Sequence, residues 1–455
     1  METMTQQRQL FGTDGIRGVA GEFPLDTKTI YAIGIALAHS LRAEHPTPHV
    51  VLGADTRESS PWISAVLAQG LEAGGAKISN AGVITTPGIA YLTRKHGLSA
   101  GIVISASHNP WQDNGIKVFG SNGYKLPDAI EFGIEQEIYR RIESSATPAT
   151  TPDPPVVDSK FVAEYEEFLR QTVSSLDLTG LHIVLDCANG ASSAIAPDIF
   201  TQLGATVHLT HAGPNGRNIN DHCGALHPKI VAAETKALGA DIGITFDGDA
   251  DRALFADANG DVVNGDGVLL LAARDLQRQG LLASDLVVAT TMSNMGLEAA
   301  LRRDSIRMLR APVGDKYVLE WMLEHQASLG GEQSGHILFP HLATTGDGLL
   351  TALFVLDVLR REGKPLHQLL ADLKVFPQVI INVKVKEKRP LDQIPAVAEA
   401  IREAEEALKD NGRVVVRYSG TEALARVMIE AESQTEMQHH ANRIAEAIRS
   451  ALGVE

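Results

Sequence analysis

The sequence predicts an α/β protein: three tandem similar α/β domains with mixed sheets, their loops converging on one cleft, then a smaller C-terminal α+β domain. Three observations predict it. Apolar strand-like runs alternate with helical patterns in three successive passes, the signature of sheets with helices on their faces. Each pass delivers one polar loop at a comparable place. From about residue 374 the order changes to β-α-β-β-α. A chain of 455 residues also exceeds what one hydrophobic core usually supports.

The first pass begins at Val50-Val51-Leu52-Gly53, continues through a helix at 61–73 that Gly74-Gly75 ends, and reaches the strand Ala100-Gly101-Ile102-Val103-Ile104. The second begins at Ile183-Val184-Leu185, with a helix expected over 191–202, and reaches Ile242-Gly243-Ile244-Thr245-Phe246. The third begins at Leu286-Val287-Val288-Ala289, passes a helix at 295–302 and a strand at 306–309, and reaches Gly330-Gly331-Glu332. In the tail, strands at 379–383, 413–417 and 424–429 accompany two amphipathic helices, one striped by Val397, Ile401, Ala404 and Leu408, the other by Ala441, Ile444, Ile448 and Leu452. Residues 146–157 hold four prolines among Ala and Thr and read as an extended linker. The expected domains are therefore 1–155, 156–255, 256–373 and 374–455.

Asp and Glu number 56 against 40 Lys and Arg, a formal charge of −16. That balance repels nucleic acid and anionic membranes, so neither is an expected partner, and a phosphorylated ligand needs basic residues concentrated in its site. Two cysteines, Cys187 and Cys223, make no disulfide framework and fit a reducing cytoplasm. The N-terminal residues carry no apolar signal core, and cytoplasmic residence is expected.

The first polar loop is Ser105-Ala106-Ser107-His108-Asn109-Pro110. It sets one hydroxyl, Ser107, on a sharp turn at a strand's carboxyl end, where ligands bind in open α/β sheets, and Pro110 stiffens it. The run alone fits a turn-forming Ser-His-Asn equally well. No Gly-x-Ser-x-Gly elbow is present, so a hydrolase triad is not indicated. Asn114-Gly115 reads as a turn that brings Lys117 back towards the serine.

The second loop, Asp247-Gly248-Asp249-Ala250-Asp251-Arg252, sets three carboxylates at alternate positions after an apolar strand. Such spacing suits a hard divalent cation, Mg²⁺ or Ca²⁺. It is no EF-hand, because Arg252 stands where Gly is needed and Ala258 where Glu is needed. In the third loop, Glu332 and Ser334 could grip sugar hydroxyls, or the stretch could be a Gly-rich connection with a structural His336. Arg417-Tyr418-Ser419-Gly420-Thr421, with Arg426 nearby, offers two guanidiniums, hydroxyls and free N–H groups for a phosphate, and reads equally as a hairpin with exposed charges. Near the start, Gly12-Thr13-Asp14-Gly15-Ile16-Arg17-Gly18 matches neither a P-loop nor a dinucleotide fingerprint, and leaves Arg17 free to face an anion or the loop to be a plain turn.

Taken together, these five motifs in this order resemble the α-D-phosphohexomutase superfamily over essentially the whole chain. Gln333 and Asp315 resemble its amino-sugar branch rather than its phosphomannomutase/phosphoglucomutase branch, which commonly has Met and His there. The resemblance implies four domains around a central cleft and interconversion of glucosamine 6- and 1-phosphates for amino-sugar nucleotide synthesis. The alternatives are the phosphomannomutase/phosphoglucomutase activity or a non-catalytic phosphosugar-binding protein. It further implies that Ser107 must be phosphorylated for activity, and that its phosphate together with Asp247, Asp249 and Asp251 holds one Mg²⁺. Lys117 takes the general acid/base position, His108 lies beside the nucleophile, and Arg17 and Arg252 stabilise oxygens. Glu332 and Ser334 bind the sugar, and Arg417, Ser419, Gly420, Thr421 and Arg426 bind the non-reacting phosphate. The implied partners are a phosphorylated hexosamine and its 1,6-bisphosphate, with the chain a monomer or homodimer. Hinge motion near 373 is expected, to let the phosphate loop follow the substrate's two orientations. Tyr418 and Ala423 replace prolines usual in that loop, which implies a differently shaped turn.

Overall fold

The computed structural model describes residues 10–12, 14–143, 153–418 and 424–453. The chain divides into two compact units, one from the described residues of Met1–Thr291 and Leu309–Leu370, the other from those of Met292–Met308 and Ala371–Glu455.

In the first unit, a six-stranded sheet runs in the order Phe11–Gly12, Gly15–Val19, Asp113–Gly120, Ala100–Ile104, His49–Ala54, Lys77–Val83. The strand His49–Ala54 lies parallel to both Lys77–Val83 and Ala100–Ile104, whereas Asp113–Gly120 returns antiparallel. Val50, Leu52, Ile102 and Ile104 are buried against Ile33, Leu37, Ile63 and Leu67 of helices Thr27–Leu41 and Ser60–Ala73. Those helices cross with backbones touching, because a Cβ at Gly70 would stand 2.3 Å from the Tyr31 carbonyl oxygen.

The second sheet, in the order Val262–Val263, Ala253–Asp257, Ile242–Phe246, His182–Asp186, Thr206–Thr210, repeats this plan. His182–Asp186 is parallel to both Thr206–Thr210 and Ile242–Phe246, and Ala253–Asp257 turns back antiparallel. The helix expected over 191–202 is broken. A 3₁₀ turn at Ala191–Ser193 precedes a helix at Ala196–Gln202, because Pro197 has no N–H to donate and so belongs in a first turn. The third sheet pairs Leu286–Thr290 parallel with Gly330–Gly331, which pairs antiparallel with Ile337–Leu338.

In all three sheets the polar loop closes an antiparallel hairpin: 105–112, 247–252 and 332–336. The expected comparable placement and mixed sheets are thus present. A second local expectation was overturned. Asn114-Gly115 makes no turn but lies inside Asp113–Gly120. Gly115 is needed there for closeness, since a Cβ would meet the Ser105 carbonyl oxygen at 2.5 Å.

In the second unit, an antiparallel sheet ordered Gln378–Lys384, Leu424–Ala431, Gly412–Tyr418 carries helices Pro395–Leu408 and Gln434–Leu452. Val397, Ala404 and Leu408 from one helix and Ile444 and Ile448 from the other bury Val427 and Ile429. Arg413 bonds the buried Glu430 at 2.6 Å and the Ser293 carbonyl at 3.2 Å, while Glu430 accepts from Met295 N–H, so helix Met295–Arg303 belongs to this unit. No helix among the described residues is long and apolar enough to cross a membrane. Both cysteines are free and buried.

Candidate active site

The serine hairpin is shaped by its own polar atoms. Ser105 Oγ accepts the Ser107 N–H at 3.0 Å, Asn109 N–H donates to the Ala106 carbonyl, and Asp113 N–H to that of Pro110. Ser107 is driven into the left-handed region, at φ +52°, unusual for a residue with a side chain. Its buried Oγ donates to Asp247 Oδ2 at 2.5 Å and lies 3.2 Å from His108 Nδ1.

The aspartate hairpin brings Asp247, Asp249 and Asp251 together, all buried, with one oxygen of each within 4.8 Å of the others. Thr86 fixes Asp249, donating its hydroxyl to Oδ2 at 2.5 Å and its N–H to the carbonyl at 3.0 Å. Burial and the charges of Asp251 and Asp249 push the Asp247 carboxyl well above the usual range. Burial acts likewise on Asp251, but Lys117, His336 and Arg252 outweigh it and hold that carboxyl well below. Asp249 Oδ1 and Asp251 Oδ1 are buried without a hydrogen-bond partner among the described residues. Oxygen donors alone, negatively charged and incompletely satisfied, fit a hard divalent cation.

Lys117, 2% exposed, lies 2.7 Å from Asp249 and 3.4 Å from Asp251. It also lies 2.9 Å from Asp14. Burial opposes its charge, but the three carboxylates prevail and keep the ammonium well above the ordinary lysine range. The pairing continues: Lys125 lies 2.6 Å from both Asp14 and Asp315. His336 Nε2 lies 3.6 Å from Asp315 and Nδ1 3.7 Å from Asp251. Opposite charges therefore alternate from Asp251 through Lys117, Asp14 and Lys125 to Asp315, and the His336 imidazole bridges Asp315 and Asp251 to close the ring. Gly346 N–H donates to His336 Nε2 at 3.1 Å, which leaves the ring proton on Nδ1, facing Asp251.

Arg17 Nη1 reaches the Ala106 carbonyl and Asn109 Oδ1, each at 3.4 Å, while Nη2 pairs with Asp14. Arg252 donates its N–H to Asp247 Oδ1 at 3.2 Å and sets Nε 3.7 Å from Asp251. Burial, then Arg252 and Arg17, press the His108 imidazole down to about 4. Burial, helped by these two guanidiniums, therefore keeps His108 neutral at neutral pH.

Glu332 Oε1 accepts the Gly314 N–H at 3.1 Å, and Ser334 Oγ is buried with no hydrogen-bond partner among the described residues. The hairpin carrying them is wedged against neighbours: a Cβ at Gly335 would stand 2.4 Å from the Ala253 carbonyl oxygen, and one at Gly265 2.0 Å from that of Glu332.

The structure thus gathers Ser107, His108, Lys117, Arg17, Arg252 and the three aspartates into one contact network, with Glu332 and Ser334 on the hairpin packed beside it. Arg417 and Arg426 lie in the second unit as directly paired cross-strand neighbours, and Arg426 Nε donates to Asn382. Ser419, Gly420 and Thr421 lie outside the described residues, as does Thr13. Sequence reasoning did not reach Asp14, Lys125 and Thr86 as members of this network, nor the pair Arg57 and Asn220. Arg57 follows a strand end as Ser107 does, a signal of place without a motif.

Family models for the phosphoglucomutase/phosphomannomutase α/β/α domains I, II and III match residues 8–145, 160–260 and 264–376, and the model for the C-terminal domain matches 380–447. The chain is 61% identical over 453 residues to the phosphoglucosamine mutase of Koribacter versatilis, covering 98% of each. It is 50% identical over 446 residues to that of Solibacter usitatus, covering 98% of this chain and 99% of that one. Among solved structures, a phosphoglucomutase/phosphomannomutase family protein from Burkholderia thailandensis superposes with a TM-score of 0.77 at 25% identity, over 98% of this chain and 99% of that one. An N-acetylphosphoglucosamine mutase from Aspergillus fumigatus, solved with GlcNAc-6P and magnesium, shares the fold at a TM-score of 0.61 and 18% identity, over 98% of this chain and 96% of that one.

Proposed function

The chain belongs to the phosphoglucomutase/phosphomannomutase family, among its phosphoglucosamine mutases, and on that premise we propose that it acts through a phosphorylated Ser107 and an enzyme-bound bisphosphate. The observation that carries this reading is the Ser107 hydroxyl bonded to Asp247 inside a cluster of three buried carboxylates. A phosphoryl group on that Oγ would stand against the carboxylates that suit a divalent cation, which supports the reading.

Asp247, Asp249 and Asp251, with the phosphate on Ser107, would hold Mg²⁺, which when bound neutralises charge on the transferring phosphoryl group. The phosphoryl group leaves Ser107 Oγ for the 1-hydroxyl of glucosamine 6-phosphate. Lys117, kept protonated by its carboxylates, gives its proton to the departing Oγ and is recharged by the proton of the sugar hydroxyl. The bisphosphate then turns over. Ser107 Oγ takes the 6-phosphoryl group, its proton returns by way of Lys117, and glucosamine 1-phosphate is released. Arg17 and Arg252 act as fixed positive groups for the phosphoryl oxygens, and His108, neutral, orients Oγ. Ser334 Oγ, unpaired among the described residues, is available to a sugar hydroxyl, and Glu332, on the same hairpin, is fixed by the Gly314 N–H.

The non-reacting phosphate is assigned to Arg417, Ser419, Gly420, Thr421 and Arg426. Two guanidiniums at directly paired strand positions repel each other, and a phosphate relieves that repulsion. The corresponding domains are 1–155, 156–255, 256–373 and 374–455.

Comparing kcat/KM for glucosamine, glucose and mannose 6-phosphates, with and without Mg²⁺, tests the assignment. The expected result is a preference for glucosamine 6-phosphate and loss of turnover on chelation. Preference for a neutral sugar indicates the phosphomannomutase/phosphoglucomutase activity. No turnover on any of the three indicates a binding protein.

A further inference from the structure

The carbonyl oxygens of Ser107 and Asn109 are gripped from two sides. Arg57 Nη2 donates to them at 3.2 and 2.6 Å. Asn220 Nδ2 donates to the same two at 2.9 and 3.0 Å. Each carbonyl has two lone pairs, so four hydrogen bonds saturate both oxygens. Arg57 comes from the segment after strand His49–Ala54 of the first sheet, and its charge is met by Asp55, both side chains being fully buried. Asn220 comes from the second sheet's loops, itself at φ +57° and tied by its N–H to the Ala188 carbonyl. A third element closes the arrangement. Gly248, next to Asp247, packs so tightly that a Cβ would stand 2.5 Å from the Ser107 carbonyl oxygen and 3.0 Å from Asn220 Nδ2.

We propose that Asn220 and Arg57 are positioning residues for phosphoryl transfer, clamping the serine loop so that Ser107 Oγ is presented to the aspartate hairpin. Pulling the carbonyls of residues 107 and 109 towards one point curls the backbone between them. The left-handed conformation of Ser107 is a cost that persists only where its surroundings over-determine it. The clamp supplies that determination and turns Oγ to the Asp247 side. Neither residue forms a hydrogen bond with Lys117 or with a carboxylate of the triad, so their effect runs through the geometry of the serine loop. This inference rests on the proposed role of Ser107 as phosphoryl carrier.

The test is single-turnover phosphorylation of Ser107 by glucosamine 1,6-bisphosphate, followed by rapid quench and intact mass, in wild type, Ser107→Ala, Asn220→Ala and Arg57→Lys, alongside the concentration of bisphosphate that half-saturates the rate. In Asn220→Ala the saturated rate is expected to fall about 10- to 100-fold, the loss of one well-placed buried donor. Half-saturation stays within about threefold of wild type, because the phosphosugar contacts are untouched. Arg57→Lys keeps the charge beside Asp55 but loses the planar two-pronged donor, and should show the same split more weakly. A variant made unfolded by its substitution is identified by circular dichroism, and the other variant then decides. A saturated rate within about threefold of wild type in a folded variant overturns the clamp, as does a fall matched by an equal change in half-saturation. Wild type that gains no phosphoryl group, or Ser107→Ala that gains one, refutes the phosphoserine reading itself.

Discussion

Replacing Lys117 by Met keeps most of the side-chain volume and removes an ammonium that touches Asp14, Asp249 and Asp251 together. At 2.7 Å and an effective dielectric near 20, the attraction to Asp249 alone is about 6 kcal/mol before desolvation. Much of that offsets the cost of burying the ions, yet breaking such a cluster by removing one member costs about 3–5 kcal/mol, because carboxylates are left uncompensated. All three tryptophans, Trp62, Trp111 and Trp321, lie in the first unit, so urea unfolding followed by tryptophan fluorescence reports the stability of the unit that holds the site. The variant should lose stability on that scale at pH 7 and regain part of it in saturating Mg²⁺, about 2.7 kcal/mol at a hundredfold excess over Kd. Asp14 and Asp251 are held below the usual carboxylate range, Lys117 being the leading cationic cause for both. The stability they lend is present above an ordinary carboxyl pKa and is lost as the pH falls through their folded values. Without Lys117 those carboxyls take up protons at higher pH, so the deficit of the variant should shrink as the pH is lowered towards 4–5. A loss below about 1 kcal/mol, or a cation effect no larger than in wild type, refutes the view that Lys117 compensates the cluster.

Three further outcomes are expected. His108 is pressed from the usual histidine value to about 4, so the unfolded chain binds the extra proton first, and stability should fall as the pH drops from about 6.5 towards 4. His108→Gln should flatten that slope in thermal midpoints measured across the window. Ser334→Ala should leave the unfolding midpoint unchanged and lower kcat/KM about tenfold, because Ser334 Oγ has no partner among the described residues to lose. Gly70→Ala should destabilise by about 1–3 kcal/mol in urea titrations despite alanine's better helix propensity, since its Cβ would press on the Tyr31 carbonyl oxygen at 2.3 Å.

Much of the fold was legible because its central strands are apolar runs bounded by polar loops. The runs 100–104 and 242–246 appear as buried strands, and each feeds its expected loop. The returning strands were harder to read. Asn114-Gly115 carries a strong turn signal, yet pairing with Gly15–Val19 on one side and Ala100–Ile104 on the other overrides it, and the glycine serves close approach instead. Within the site, residues next to each other in sequence were accessible: Ser107 with His108, and the three aspartates at alternate positions. The charge ring was not, because its members stand far apart along the chain, and Lys125 and Asp14 gain their meaning only once Asp113–Gly120 pairs with the neighbouring strand. Arg57 and Asn220 act on backbone carbonyls, which no side-chain pattern advertises.

The most direct measurement follows a labelled phosphoryl group. Incubation with glucosamine 1,6-bisphosphate carrying a radioactive phosphate, followed by peptide mapping, should place the label on Ser107, and unlabelled glucosamine 6-phosphate should then chase it into free sugar phosphate at the rate of turnover. Ser107→Ala should take up none and should not turn over. Label found on another residue, or a Ser107→Ala enzyme that still interconverts the two glucosamine phosphates, contradicts the central claim.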